Sequence, residues 1–155
     1  MNTRKERGFT LIEVLVVFGL IAIVGGFVLL MSMDTYRASS YRADRNLLVA
    51  ILERARAQAV SNLCIGAGCA NGKPHGVSLQ GSQYVLFQGP SFATRDPSID
   101  NAFEASPLVT RTGLTEVVFS QLSGTTMAGT ITLSDASGYT SLITLSADGQ
   151  ITWTN

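Results

Sequence analysis

Charge is scarce in this sequence. Asp, Glu, Lys and Arg together make up 14% of 155 residues, while 46% are hydrophobic. Such a balance excludes an intrinsically disordered chain, which needs the reverse. Histidine is scarcer still: His75 stands alone, directly after Pro74. No Ser-His-Asp set or nucleophile elbow stands out around it, and "GAGCANGK" lacks the spacing of a phosphate-cradling loop. The chain therefore reads as a non-enzyme with no cofactor, and His75 as a surface residue at a strand end. There are two cysteines, Cys64 and Cys69. With His75 they would supply three metal ligands and no fourth, a poor metal site. Proline does not occur before Pro74, and glycine does not occur between Gly26 and Gly66. Little interrupts a helix over the first sixty residues except Gly19 and the pair Gly25–Gly26, where it could bend or unwind.

What is present is a long apolar run. From Val14 to Met33 there is no charge, and from Phe9 to Met33 the one charge is Glu13. Twenty helical residues at about 1.5 Å each cover the roughly 30 Å of a bilayer core. A secretory signal peptide would have a shorter apolar core followed by a small-residue cleavage site. Here "MSMDTYRASSYRADR" continues instead into good helix formers. Arg4, Lys5 and Arg7 precede the run, which favours a cytoplasmic N-terminus, although Arg37, Arg42 and Arg45 follow it. These three are expected to touch lipid headgroups or neighbouring acids.

Leu47, Leu48, Ile51, Leu52, Ala55 and Ala59 recur at helical spacing, with Arg45, Glu53, Arg54 and Arg56 largely off that stripe. The pattern predicts one helix from about residue 10 to about 62, apolar on all sides in its first half and amphipathic in its second. Beyond Asn62 the texture turns to Gly, Ser and Thr with short apolar alternations. A Gly81-Ser82 turn in "GVSLQGSQYVLF" pairs Leu79 with Tyr84 and Val77 with Leu86, placing four apolar side chains on one face. Near the C-terminus a two-residue turn at Asp148-Gly149 would set apolar against polar residues. A three-residue loop, Ala147 to Gly149, pairs Leu145 with Ile151 and Ile143 with Trp153, with Gly149 left-handed. The same loop type at Ala136 to Gly138 sets Ile131 opposite Ile143. A three-strand meander over 129–154 results, and "LTEVVFS" adds a strand. Residues 89–106 read as a long surface loop. The fold class is α+β: a long helix, its second half covering one face of a small antiparallel sheet.

Gly8 followed by "FTLIE" after a short basic leader resembles the class III signal of type IV pilins and type II secretion pseudopilins, which share this ladle-like plan. "LLVAILERARAQAVSN", with Ala55, Arg56 and Ala59 in an Ala-Arg-x-x-Ala pattern, is similar to the helix end of H-type minor pseudopilins and T-type fimbrial minor pilins. The resemblance implies a leader at 1–8, an assembly and transmembrane helix at 9–33, its amphipathic continuation at 34–62 and an extracytoplasmic head at 63–155. It implies cleavage between Gly8 and Phe9 by a prepilin peptidase, N-methylation of Phe9, and alignment of subunits by Glu13. The expected partners are other pilin or pseudopilin subunits, an inner-membrane assembly platform and the bilayer. The expected place is the bacterial inner membrane, then a periplasmic or extracellular filament. Many pilins carry a helix-breaking Pro about two-thirds along the apolar segment; Leu30 stands there, which leans away from a major pilin.

Glu13 has two readings. It could snorkel to the cytoplasmic interface, or meet the α-amine of a neighbouring subunit's Phe9, an amine that exists only after cleavage. Cys64 and Cys69, outside the cytoplasm, could close a small disulfide loop or remain as two buried thiols. Nucleic-acid binding is disfavoured. Residues 63–155 hold Lys73, Arg95 and Arg111 against six acids, a net of −3, where phosphate recognition needs clustered positive charge. The alternatives to a minor subunit are a major pilin of the fibre shaft, a pilin-like adhesin or DNA receptor using 89–106 as its contact loop, and a membrane-anchored domain that never polymerises.

Overall fold

The computed structural model describes residues 9–67 and 69–155, except for the side chains of 27–34. The leader with Gly8, and the side chains of Leu30 and Asp34, lie outside the described residues. The chain divides into two units, residues 1–37 and Ala38–Asn155. A single α-helix, α1 (Leu11–Val60), contributes to both. It is continuous through Gly19, Gly25 and Gly26, so no glycine unwinds it.

In the first unit the described side chains of α1 are exposed, from Leu11 at 80% to Val24 at 62%. Among the described residues no helix is long and apolar enough to cross a membrane.

The second unit is α+β, but with two sheets where one was expected. Eight strands follow α1: β1 (His75–Leu79), β2 (Gln83–Gln88), β3 (Asn101–Glu104), β4 (Val109–Gly113), β5 (Glu116–Phe119), β6 (Gly129–Asp135), β7 (Thr140–Leu145) and β8 (Ile151–Thr154). They form two four-stranded sheets, in the orders β3-β2-β1-β5 and β4-β6-β7-β8. All pairings are antiparallel. The first hairpin pairs Leu79 with Tyr84 and Val77 with Leu86. The meander pairs Ile131 with Ile143, Leu145 with Ile151 and Ile143 with Trp153. Gly149 has φ +79°, the left-handed conformation that its loop requires. "LTEVVFS" does form a strand, β5, but it joins β1 in the first sheet rather than the meander. The meander is extended instead by β4, a strand the sequence did not reveal.

One core joins the helix to the inner faces of both sheets. Leu48, Leu52, Ala55 and Ala59 are fully buried, against Val77, Tyr84 and Phe119 of the first sheet and Ile131, Leu133 and Ile143 of the second. Each buried Leu truncated to Ala would cost about 2–5 kcal/mol. The helix ends in a Schellman-type turn: the Leu63 N–H donates to the Gln58 carbonyl at 3.0 Å, and Asn62 is left-handed at φ 56°. The Leu122 N–H, from a distant turn, donates to the Ala59 carbonyl at 2.9 Å.

The expected loop at 89–106 is corrected. It contains two single-turn 3-10 helices, Phe92–Thr94 and Pro97–Ile99, and then β3. Phe92 packs edge-on against Phe87 at 5.5 Å, and its N–H donates to the Glu116 carboxylate at 2.8 Å. The segment thereby covers the outer face of the first sheet. Among the described residues the outer face of the second sheet has no such cover. Thr110, Thr112, Thr130, Thr140, Thr144, Thr152 and Thr154 are exposed on it, as alternation with the buried Ile131, Leu133 and Ile143 dictates.

Candidate functional site

Two places carry the chemistry: the start of α1, and a polar cluster buried in the head. At the helix start, Phe9 and Thr10 precede the first turn. Thr10 is the N-cap. Its hydroxyl and its carbonyl both accept from the Glu13 N–H, at 3.3 and 3.1 Å. "TLIE" is thus the first half of a capping box, Thr at the cap and Glu three residues on. The sequence itself contains this signal. The cap fixes where the helix begins and leaves Phe9 outside it, 83% exposed. Glu13 lies one turn in, exposed, surrounded by exposed Leu11, Ile12, Val14 and Leu15.

The second place was not foreseen. Asp44, on α1, is 3% exposed. Its Oδ2 accepts from the Tyr84 hydroxyl at 2.7 Å and from Arg111 Nη2 at 2.8 Å, and its Oδ1 accepts from the Ser106 N–H at 2.8 Å. Arg111 also donates to the Val109 and Ser106 carbonyls and, through Nε, to the Tyr84 oxygen. The cluster therefore links α1, β2 in the first sheet and β4 in the second. Burial, reinforced by the Asp44 carboxylate and only partly opposed by Arg111, pushes the Tyr84 hydroxyl above its ordinary range. Burial lowers the pKa of Arg111, but its bonds to Tyr84 and Asp44 outweigh that and raise it overall. The upward shifts keep the Tyr84 hydroxyl neutral and the Arg111 guanidinium charged, so the arrangement is a fastener rather than an acid–base centre.

His75 is corrected from a surface residue to a buried one, 1% exposed. Its Nδ1 meets the Lys73 carbonyl at 3.0 Å, while Nε2 is buried with no partner among the described residues. Burial lowers its pKa despite that carbonyl. Beside it on β2, Gln88 reads both backbone groups of Ile65, accepting from the N–H at 2.7 Å and donating to the carbonyl at 3.2 Å. That docks the loop in which Cys64 and Cys69 are disulfide-bonded, Cα–Cα 5.7 Å. Among the described residues no group of His, Cys, Asp and Glu could hold a metal ion.

The arginines are also redistributed. Arg45, expected to touch lipid headgroups or neighbouring acids, is 8% exposed, with its guanidinium 3.9 Å over the Trp153 ring and bonded to Asn46 and Asn155. Arg95 is ion-paired with Asp100 at 2.6 Å, and Arg111 with Asp44. Arg56 donates to the Asp148 carbonyl at 3.3 Å and packs beside Gly124 and Gly149. Ala55 and Ala59 are buried beneath it, which gives the Ala-Arg-x-x-Ala pattern a packing role.

An exposed apolar helix start behind an N-cap and an α+β second unit are consistent with a pilin-like fold. Residues 3–29 match the prokaryotic N-terminal methylation motif, the prepilin-type signal. The motif supports a structural protein of the type IV pilin-like class, processed by prepilin peptidase, assembled with other pilin subunits and anchored at the cell envelope. No curated protein and no solved structure matches the chain.

Proposed function

We propose that the chain is a minor pilin or pseudopilin. It is inserted through the apolar run from Phe9 to Met33 with its N-terminus cytoplasmic, cut between Gly8 and Phe9, methylated on Phe9, and packed into a filament through the exposed apolar face of α1. The single observation that carries this reading is the match to the methylation motif over a helix start whose described apolar side chains are exposed. In a monomer that surface needs lipid; in a polymer, it needs neighbouring helices.

Glu13 is the alignment residue. Its carboxylate is costly in hydrocarbon, on the order of 2–3 kcal/mol on insertion scales, and a neighbour's freed Phe9 amine would offset that cost. The finer reading, an H-type minor pseudopilin or T-type minor pilin, is supported by Ala55, Arg56 and Ala59, whose pattern fits the docking of the helix end against the turns at Gly124 and Gly149. An adhesin using 89–106 is less well supported, because Phe92 and Arg95 are committed to covering the first sheet.

Co-expression with a prepilin peptidase followed by N-terminal mass analysis tests the proposal. The expected product begins with N-methylated Phe9. Glu13→Leu should still be cut but be absent from sheared filaments. An uncut N-terminus would remove the proposal; normal incorporation of the Glu13 variant would remove the alignment role alone.

A further inference from the structure

In two places of this chain an Asn or Asp precedes a Gly: Asn71-Gly72 and Asp148-Gly149. Such a pair is prone to ring closure, in which the next backbone nitrogen attacks the side-chain carbonyl carbon. Glycine favours it because no Cβ restricts the backbone conformation that the ring requires. The fold treats the two pairs differently. The Gly149 N–H donates to the Ser146 carbonyl at 2.9 Å, and its φ of +79° is set by its loop. The Asp148 carboxylate accepts from Ser146 Oγ, which holds it ionised, and an ionised carboxylate resists attack. Other asparagines are held as well. Asn46 lies inside α1. After Asn62, the Leu63 N–H donates to the Gln58 carbonyl at 3.0 Å. Asn101 and Ala102 are paired in β3 with Leu86 and Val85. Asn71, by contrast, is exposed and lies in a bend outside helix and strand.

We propose that Asn71 is a site of spontaneous deamidation, a modification that needs water and no enzyme. The Gly72 nitrogen loses its proton to water and bonds to Asn71 Cγ. The Cγ–Nδ2 bond breaks, and Nδ2 takes up a proton and leaves as ammonia. Water then opens the five-membered ring at one of its two carbonyls, leaving aspartate or the β-linked isoaspartate at position 71. The products matter because of what Gly72 touches. A Cβ on Gly72 would lie 2.0 Å from Asn62 Oδ1 and 2.5 Å from the Asn62 carbonyl oxygen, so its backbone is packed against the residue that closes α1. Isoaspartate adds one methylene to the main chain immediately before that contact. The segment has little slack to absorb it: the Lys73 N–H donates to the Leu63 carbonyl at 3.3 Å, and Cys69 is tied to Cys64. Either product also brings a negative charge next to a helix end whose last turn carries no basic residue, where the helix dipole disfavours it. Conversion therefore loosens the strap from Cys69 to Lys73 as the protein ages, whether or not the chain enters a filament.

The full chain, incubated in detergent at neutral pH for days, tests this against the same chain in urea. Digestion at acidic pH, where ring closure is slow, yields the peptide containing position 71. Synthetic peptides with Asn, Asp or isoAsp at that position serve as chromatographic and mass standards. The folded chain should convert at a rate within about twofold of the unfolded one, because an exposed bend sits at the low end of local stability. Asn46, Asn62 and Asn101 should keep their amides, and Asp148 should isomerise more slowly folded than in urea. An Asn71 amide that persists in the folded chain while the urea sample converts overturns the proposal. The consequence is read by melting temperature. Aged wild type should melt below fresh wild type, with fresh Asn71→Asp between them. Asn71→Gln, whose longer side chain closes its ring far more slowly, should keep its melting temperature on ageing. A converted wild type that melts like the fresh protein overturns the loosening of the strap.

Discussion

Asp44 on α1 and Arg111 on β4 form a buried ion pair, Nη2 to Oδ2 2.8 Å, with the Tyr84 hydroxyl donating to the same carboxylate oxygen. Three elements converge on one oxygen. Removing one partner of such a pair leaves a charge buried without compensation, which typically costs about 3–5 kcal/mol. Arg111→Leu and Asp44→Leu should each destabilise the head by about that amount. Arg111→Lys should recover little, because a single ammonium cannot serve Asp44, Tyr84, Val109 and Ser106 from a flat fork. Tyr84→Phe should cost less, about 1 kcal/mol for one hydrogen bond. Chemical denaturation followed by Trp153, the only tryptophan, measures all four. If Asp44→Leu unfolds at the wild-type midpoint, the fastener reading is wrong.

His75 gives the head an acid limit. Burial favours its neutral form, so its folded-state pKa lies below the ordinary value of 6.5. The unfolded chain then binds the proton more readily. Stability from this group is therefore complete above about pH 6.5 and declines as pH falls below it toward the folded-state pKa. The melting temperature should drop between pH 6.5 and 5 in the wild type, and the slope should flatten in His75→Gln. An unchanged slope in that variant would assign the acid sensitivity to other groups.

Gly149 and Gly138 occupy equivalent loops, at φ +79° and +88°, yet their surroundings differ. A Cβ on Gly138 would meet open space, whereas one on Gly149 would lie 2.0 Å from the Gly124 carbonyl oxygen and 2.9 Å from Arg56 Nε. Gly138→Ala should cost only the left-handed backbone, about 1–2 kcal/mol. Gly149→Ala should cost clearly more, since backbone must move. Equal melting temperatures for the two variants would contradict the close packing of the helix end against that turn.

The Cys64–Cys69 loop spans a sequence separation of 5. A loop this short removes little entropy from the unfolded chain, on the order of 2 kcal/mol in the loop-closure account. Reduction should raise the intact mass by two hydrogens and lower stability by roughly that amount without unfolding the head. Gln88→Ala should loosen the same loop by removing both of its bonds to Ile65, and hydrogen exchange at Ile65 should report it.

Much of this architecture was legible locally. Helical periodicity exposed the stripe from Leu48 to Ala59, because a helix must repeat every 3.6 residues to bury one side. The hairpin and meander registers followed from matching apolar partners across each turn, because a slip of one residue would turn every side chain to the wrong face. Glu13 stood out because one acid in an apolar run demands an explanation. The capping role of Thr10 was equally legible and was missed.

What the sequence could not display is what depends on partners distant along the chain. β4 reads as "VTRTG", with Arg111 at an inward position, and only the Asp44 carboxylate, 67 residues earlier, makes that position habitable. Asp44 and Arg45 look like surface charges until Tyr84, Arg111, Trp153 and Asn155 close over them. His75 looks exposed beside a proline until Phe119 and Gln88 flank it in the sheet. The division into two sheets belongs to the same class, since the chain changes sheet between β3 and β4, β4 and β5, and β5 and β6, where short alternating strands carry no mark of which neighbour they will join. Local periodicity fixes which face of an element is apolar. The pairing of buried charges and the choice of strand neighbours are settled only by tertiary packing, because their energies come from contacts that do not exist until the core has closed.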